Sequence, residues 1–103
     1  MKPLTSRQSK YLRGLAHSRP ALILIGKAGL KSEVLQAVDG ALEDHELVKV
    51  KFLEHKDKQT KTQMVAELCR QTQAQRVGLI GHTAIVYRPA RDPSMRRIAL
   101  PDP

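Results

Sequence analysis

The chain has 103 residues, 41% of them hydrophobic, and a formal charge of +8 from 18 basic and 10 acidic side chains. This size and apolar content suit a single domain spanning 1–103 with a modest core, and they exclude a disordered or multidomain chain. The one cysteine, Cys69, excludes an internal disulfide and a cysteine-based metal cluster, and no apolar run has signal-peptide or membrane-spanning form. A soluble, cytoplasmic monomer is the resulting expectation.

The charge is unevenly spread. Seven Lys or Arg precede the first acid, Glu33, whereas residues 33–54 hold six acids against two lysines, and the remainder is again basic. One positive face follows, with nucleic acid as the leading partner class. An acidic protein or an anionic membrane surface would satisfy the same count.

Thr5, with Gln8 three residues later, has capping-box spacing and opens the first helix. Leu4, Leu12, Leu15 and Ala16 give it an apolar stripe, while Arg7, Lys10 and Arg13 recur every third residue on another side. Pro20 ends it by about His17 to Arg19. The run from Ala21 to Ile25 does not alternate and predicts a strand covered on both faces.

Gly26-Lys27-Ala28-Gly29 follows, then Lys31 and a second helix that begins near Ser32 as its cap and runs to about Asp44. The glycines permit positive φ and close backbone approach. Unpaired amides at a helix start, together with the dipole, favour a phosphate there. Lys27 and Lys31 add full charges, and Glu33 in the first turn partly offsets the dipole. Gly26, Lys27, Ala28, Gly29 and Lys31 are thus candidate phosphate contacts, with Arg7, Lys10 and Arg13 as a second basic strip. Incidental lysines on a tight turn are the bland alternative.

Leu47 to Leu53 alternates, with Val48, Val50 and Phe52 inward and Lys49 and Lys51 in water. Thr60 and Gln63 form a second capping-box pair, opening a helix to about Thr72. Arg76 to Ile80 and Thr83 to Arg88 read as a hairpin around Gly81-His82, whose leading glycine suits a primed turn. A basic tail over 91–103 follows the core at about 4–90, and Arg97 to Leu100 has the makings of a short edge strand. The order is α-β-α-β-α-β-β: an α/β fold with a four-stranded mixed sheet. Two crossover helices are expected on one face, and the first helix on the other, over the first strand.

Leu12-Arg13-Gly14-Leu15-Ala16-His17, Leu24-Ile25-Gly26-Lys27-Ala28-Gly29-Leu30, the stretch from Ala41 to Lys51, and Tyr87-Arg88-Pro89 occur in this order along the chain. On this set the chain resembles the YhbY-like bacterial proteins, which are stand-alone CRM (chloroplast RNA splicing and ribosome maturation) domains. The resemblance runs over roughly residues 4–101 and departs mainly at Asp92 to Met95. It implies a fold similar to the carboxy-terminal domain of translation initiation factor three, RNA binding through the Gly-x-x-Gly loop, and association with large-subunit ribosomal precursors. The loop is also similar to the K-homology clamp on backbone nucleotides, although there it joins two helices.

Other chemistry is disfavoured. The stretch from Gly26 to Ser32 lacks the spacing of a nucleotide-binding P-loop. His17, His45, His55 and His82 lie on separate elements without metal-ligand spacing, so capping, turn or core roles are expected. Glu43, Asp44 and Glu46 read as a solvated acidic helix end that would repel RNA. With only Tyr11, Phe52 and Tyr87 as aromatics, a base-stacking platform is not expected. The sequence therefore predicts a non-enzymatic RNA-binding domain without cofactor, metal, membrane or small-molecule substrate and with low sequence specificity, and the resemblance implies that its RNA is ribosomal and its role is in large-subunit assembly. An adaptor docking an acidic protein partner is the rival from another class, and a duplex-DNA binder is the third.

Overall fold

The computed structural model describes residues 2–103. Three helices flank a four-stranded mixed sheet: α1 (Ser6–His17), β1 (Ile23–Ile25), α2 (Ser32–His45), β2 (Leu47–Phe52), α3 (Lys58–Thr72), β3 (Gln75–Ile80) and β4 (Thr83–Tyr87), ending with a 3-10 turn at Pro93–Met95. The sheet order is β1-β2-β4-β3. β1 runs parallel to β2, and β4 is antiparallel to both its neighbours. The carboxyl ends of β1, β2 and β3 therefore share one edge of the sheet.

Alternation in the strands creates two cores. Ile25, Val48, Val50, Phe52, Ala84 and Val86 meet Val38 and Leu42 of α2 and Val65 and Leu68 of α3 on one face. Leu47, Ile85, Tyr87 and the bulged Val77 meet Leu12 and Ala16 of α1 on the other. The Thr5–Gln8 capping box forms as expected. So does the hairpin, where Gly81 alone takes positive φ, at 59°, as a type II′ turn requires.

Several local expectations are corrected. Asp57, not Thr60, caps α3, its carboxylate accepting from the Thr60 amide at 2.9 Å. Ser32 is already helical; Lys31 occupies the cap position of α2, with no side-chain hydrogen bond there. β1 is not covered on both faces, because α1 crosses β3 and β2 rather than β1, leaving Leu22 and Leu24 exposed. Lys49 is not left in water. Its Nζ donates to the carbonyls of Ala16 and Arg19 at 3.2 and 2.9 Å, closing the carbonyl end of α1. Lys51 stays exposed, as expected.

The acidic end of α2 is not a solvated face. Glu46 takes left-handed φ of 64° and is buried. Its carboxylate accepts from the amides of Ala90, Arg97 and Ile98 at 2.6–2.9 Å. Glu43 accepts from the amides of Arg91 and Asp92. Buried Arg88 donates to Asp39, Glu43 and the Thr72 carbonyl. The tail is consequently part of the fold: 97–100 form no edge strand, but Ile98 and Leu100 pack on the α1-side core.

Burial raises the Glu46 carboxyl, but the three amides outweigh it and hold the group below the ordinary carboxylate range. A lowered folded-state pKa contributes stability above the unfolded value, near 4.5, and loses it as pH falls through the folded one. Glu46→Ala is expected to lower Tm by about 10–20 °C at neutral pH, corresponding to about 2–3 kcal/mol for stranded amides. In thermal circular dichroism the gap between variant and parent should narrow as the medium is acidified.

Candidate nucleic-acid interface

The Gly26–Gly29 loop leaves β1 at the shared sheet edge and enters α2. Its turn closes through the Gly29 amide donating to the Gly26 carbonyl at 3.0 Å, and the Lys31 amide donates to the Gly29 carbonyl at 3.1 Å. The two glycines are not equivalent. Gly29 has φ of 73°, and a Cβ there would stand 3.2 Å from the Met64 Cε of α3; Gly26 lacks positive φ and borders open space. Positive φ is the reason for glycine at 29. At Gly26 the fold imposes no such reason.

The loop is braced from the next strand's exit. His55, itself at φ 57°, bonds the Lys27 carbonyl through Nε2 at 2.8 Å. A carbonyl only accepts, so Nε2 carries the proton. With that carbonyl turned toward His55, the amides of Lys27 and Ala28 meet no protein acceptor among the described residues. The same holds for Ser32, Glu33 and Val34 at the uncapped start of α2, where Leu35 is the first amide to bond back, to Lys31. Lys27, Ala28 and Lys31 are exposed. Backbone donors, a positive helix end and two ammonium groups thus coincide.

The third loop on this edge adds charge. Buried Lys61 of α3 donates to the Gly81 carbonyl at 2.6 Å and lies 3.0 Å from His82 Nδ1. An ammonium cannot accept, so Nδ1 is unprotonated. Desolvation, then Lys61, Lys56 and Lys51, depress the His82 pKa.

The basic strip of α1 divides. Arg13 lies along the sheet, its Cδ 3.2 Å from where a Cβ on Gly78 would stand and its guanidinium donating to the Val77 carbonyl. Arg7 and Lys10 are on a separate outer groove with Tyr11, Gly14, Leu15 and Pro101. α1 starts beside Gln75, whose Oε1 accepts from the Leu4 amide, at the end of β3 opposite the glycine loop. Sequence reasoning therefore joined two sets that the fold separates, and it missed His55, Lys56, Lys61 and His82. His55 reaches the loop because β1 and β2 are parallel, which places both strand exits on one edge, while Lys61 and His82 come to that edge through the β3–β4 turn.

Charge sign follows the layers. α1 and all four strands contain no Asp or Glu, but they carry Arg7, Lys10, Arg13, Lys49, Lys51 and Arg76. The acids lie on α2, α3, connecting segments and the tail. Asp39 and Glu43 are engaged by Arg88 and Arg91, and Glu67 by Arg70, whose hydrogen bonds, with Gln71, hold the Glu67 carboxyl at about 2. Cys69 is a packed thiol that burial pushes up to about 11. Among the described residues no cluster of His, Cys, Asp and Glu has metal-site geometry, and no helix is long and apolar enough to cross a membrane.

The family model for the CRS1 / YhbY (CRM) domain matches residues 4–88. The chain belongs to this family. It is 37% identical over 92 residues to a Haemophilus influenzae protein named as RNA-binding, covering 89% of this chain and 92% of the relative. The Bacillus subtilis protein named "Probable RNA-binding protein YqeI" is 30% identical, over 95% of this chain and 99% of its own. The solution structure of the hypothetical protein SAV1595 from Staphylococcus aureus superposes with a TM-score of 0.78 at 30% identity, covering 93% and 99% of the two chains. The expected CRM membership and fold are thereby shown.

The glycine asymmetry has a direct stability consequence. Gly29→Ala should cost about 1–2 kcal/mol because alanine resists that φ, whereas Gly26→Ala should unfold within about 0.5 kcal/mol of the parent. Urea unfolding of both variants checks this.

Proposed function

We propose that this protein binds ribosomal RNA in precursors of the large subunit and assists their assembly, by binding alone and without catalysis. It acts as a cytoplasmic monomer in this reading. The Gly26–Gly29 loop holds backbone phosphate: amides of Lys27, Ala28 and the α2 start donate, while Lys27 and Lys31 supply charge. Arg13 extends the contact over the sheet, and Arg7 and Lys10 meet a more distant segment of the same folded RNA. The main support is the uncapped start of α2 behind a glycine turn, at the end of a sheet whose strands carry no acid. The RNA-binding names of the family relatives support RNA over DNA or protein as the partner.

Phosphate contacts carry position more than base identity, so sequence preference is modest. If four to six phosphates are engaged, the log–log salt slope of affinity should be roughly −3 to −5. Lys27→Glu and Lys31→Glu are expected to weaken binding to rRNA fragments at least tenfold and to flatten that slope, with the circular dichroism spectrum unchanged. Gly26→Ala should weaken binding without the stability loss of Gly29→Ala. Normal RNA affinity in both lysine variants refutes the loop. Co-sedimentation with large-subunit particles that survives complete RNA removal would refute RNA as the tether and favour an acidic protein partner.

A further inference from the structure

The α1-side face of the sheet is only partly covered. Strand register sets out two successive rows across it. One is Lys49, Ile85 and Gly78, with Leu22 beside them, and it is closed by α1 through Arg13 over Gly78 and the Lys49 bonds to the helix end. The next row, toward the glycine loop, is Leu24 of β1, Lys51 of β2, Thr83 of β4 and Ile80 of β3. No helix crosses this row among the described residues. Leu24 and Ile80 are 54% and 61% exposed, the two most exposed large apolar side chains described. At a strand spacing of about 4.8 Å the row spans about 14 Å.

We infer that this open row seats unpaired nucleotides of the RNA whose phosphates the glycine loop holds, with bases or riboses laid on Leu24 and Ile80 and a phosphate on Lys51. The inference rests on the proposed RNA-binding role and adds the class of RNA. Three observations select this occupant. The row is continuous with the loop, since Leu24 stands two residues before Gly26, and Ile80 and Thr83 flank the Gly81–His82 turn. Its charged neighbours on the sheet and α1 are Arg13, His17, Lys49 and Lys51, and neither α1 nor the strands supply a carboxylate. A lysine at the centre of the row also argues against a protein-docking patch, whose core is depleted of lysine. Duplex RNA hides its base faces in the stack, so only nucleotides freed from pairing can cover aliphatic side chains.

Apolar contact releases no counterions, and this separates the row from the loop in one experiment. Affinity would be measured from low to high salt for a hairpin RNA with a long unpaired loop and for a fully paired duplex, using the parent, Leu24→Ser, Ile80→Ser and Lys27→Glu. Both serine changes fall on exposed positions, and thermal unfolding checks that each variant is folded. For the looped RNA, each serine variant is expected to bind roughly five- to tenfold more weakly at every salt concentration, with the slope unchanged. For the duplex, their affinity should equal the parent's. Parental affinity of both serine variants for the looped RNA overturns the inference and leaves the phosphate loop standing if Lys27→Glu still fails. Equal losses on loop and duplex also overturn it, because unpaired nucleotides would then not be the occupant. Parental RNA affinity combined with lost co-sedimentation with large-subunit particles would assign the row to a protein contact, against the inference.

Discussion

Glu46 is the hinge on which the arrangement of charge depends. Its left-handed backbone ends α2 and turns the chain directly into β2, while its buried carboxylate collects three amides from a segment more than forty residues away. A buried carboxylate is tolerated only when its lone pairs are filled, and backbone donors fill them here, with the Arg96 charge as a smaller contribution. The tail must therefore return to this point. Ile98 and Leu100 are thereby delivered to the underside of α1, so the second core needs the clasp as much as it needs its own apolar residues. Asp39 and Glu43 act alongside by holding Arg88, a buried cation that would be costly without them.

This clasp explains how a chain with eight excess positive charges folds compactly and still presents a one-sided field. Asp39 and Glu43 pair with Arg88 and Arg91, and Glu67 with Arg70, on α2, α3 and the start of the tail. α1 and the strands carry cations and no acid, and the glycine loop adds Lys27 and Lys31, with Glu33 in the first turn of α2 as a partial offset. Two of these cations are also oriented: Arg13 and Lys49 donate to backbone carbonyls, which neutralises no charge and fixes where it sits. Oriented, uncompensated charge favours a polyanion over a small anion, because only a polymer meets several such positions at once.

Much of the fold was legible because each element carried a local signal. The Thr5–Gln8 box, the alternation from Leu47 to Phe52 and the Gly81-His82 turn all report on neighbours within a few residues, and all three form. The errors share a cause. Ala21 to Ile25 looks doubly buried, but whether a strand is covered depends on where α1 crosses, and that is set by Leu12 and Ala16 meeting Leu47, Val77 and Ile85 far along the chain. Glu46 looks like one more surface acid because its partners are amides, which composition cannot show. Thr60 has good capping spacing, yet Asp57 begins the helix earlier with a stronger, charged acceptor. Of the site, the glycine loop and its lysines were readable as a motif. The brace from His55 was not, since it depends on two parallel strands ending on the same edge.

That brace bears on what the loop can bind. A glycine turn free to move would lose its amide alignment on average, and ordering it would cost affinity at the moment of binding. Here the conformation is set beforehand from three sides: by the Gly29–Gly26 hydrogen bond within the turn, by Met64 beneath Gly29, and by His55 on the Lys27 carbonyl. The last contact has a second effect. A peptide carbonyl facing an incoming phosphate would repel it, and His55 holds that of Lys27 in a hydrogen bond to the protein, while the amides of Lys27 and Ala28 stay unpartnered. One imidazole thus adds to the preorganisation and removes a competing negative dipole. In the proposed phosphate grip, anion preference would come from backbone geometry, with the lysines adding range rather than shape.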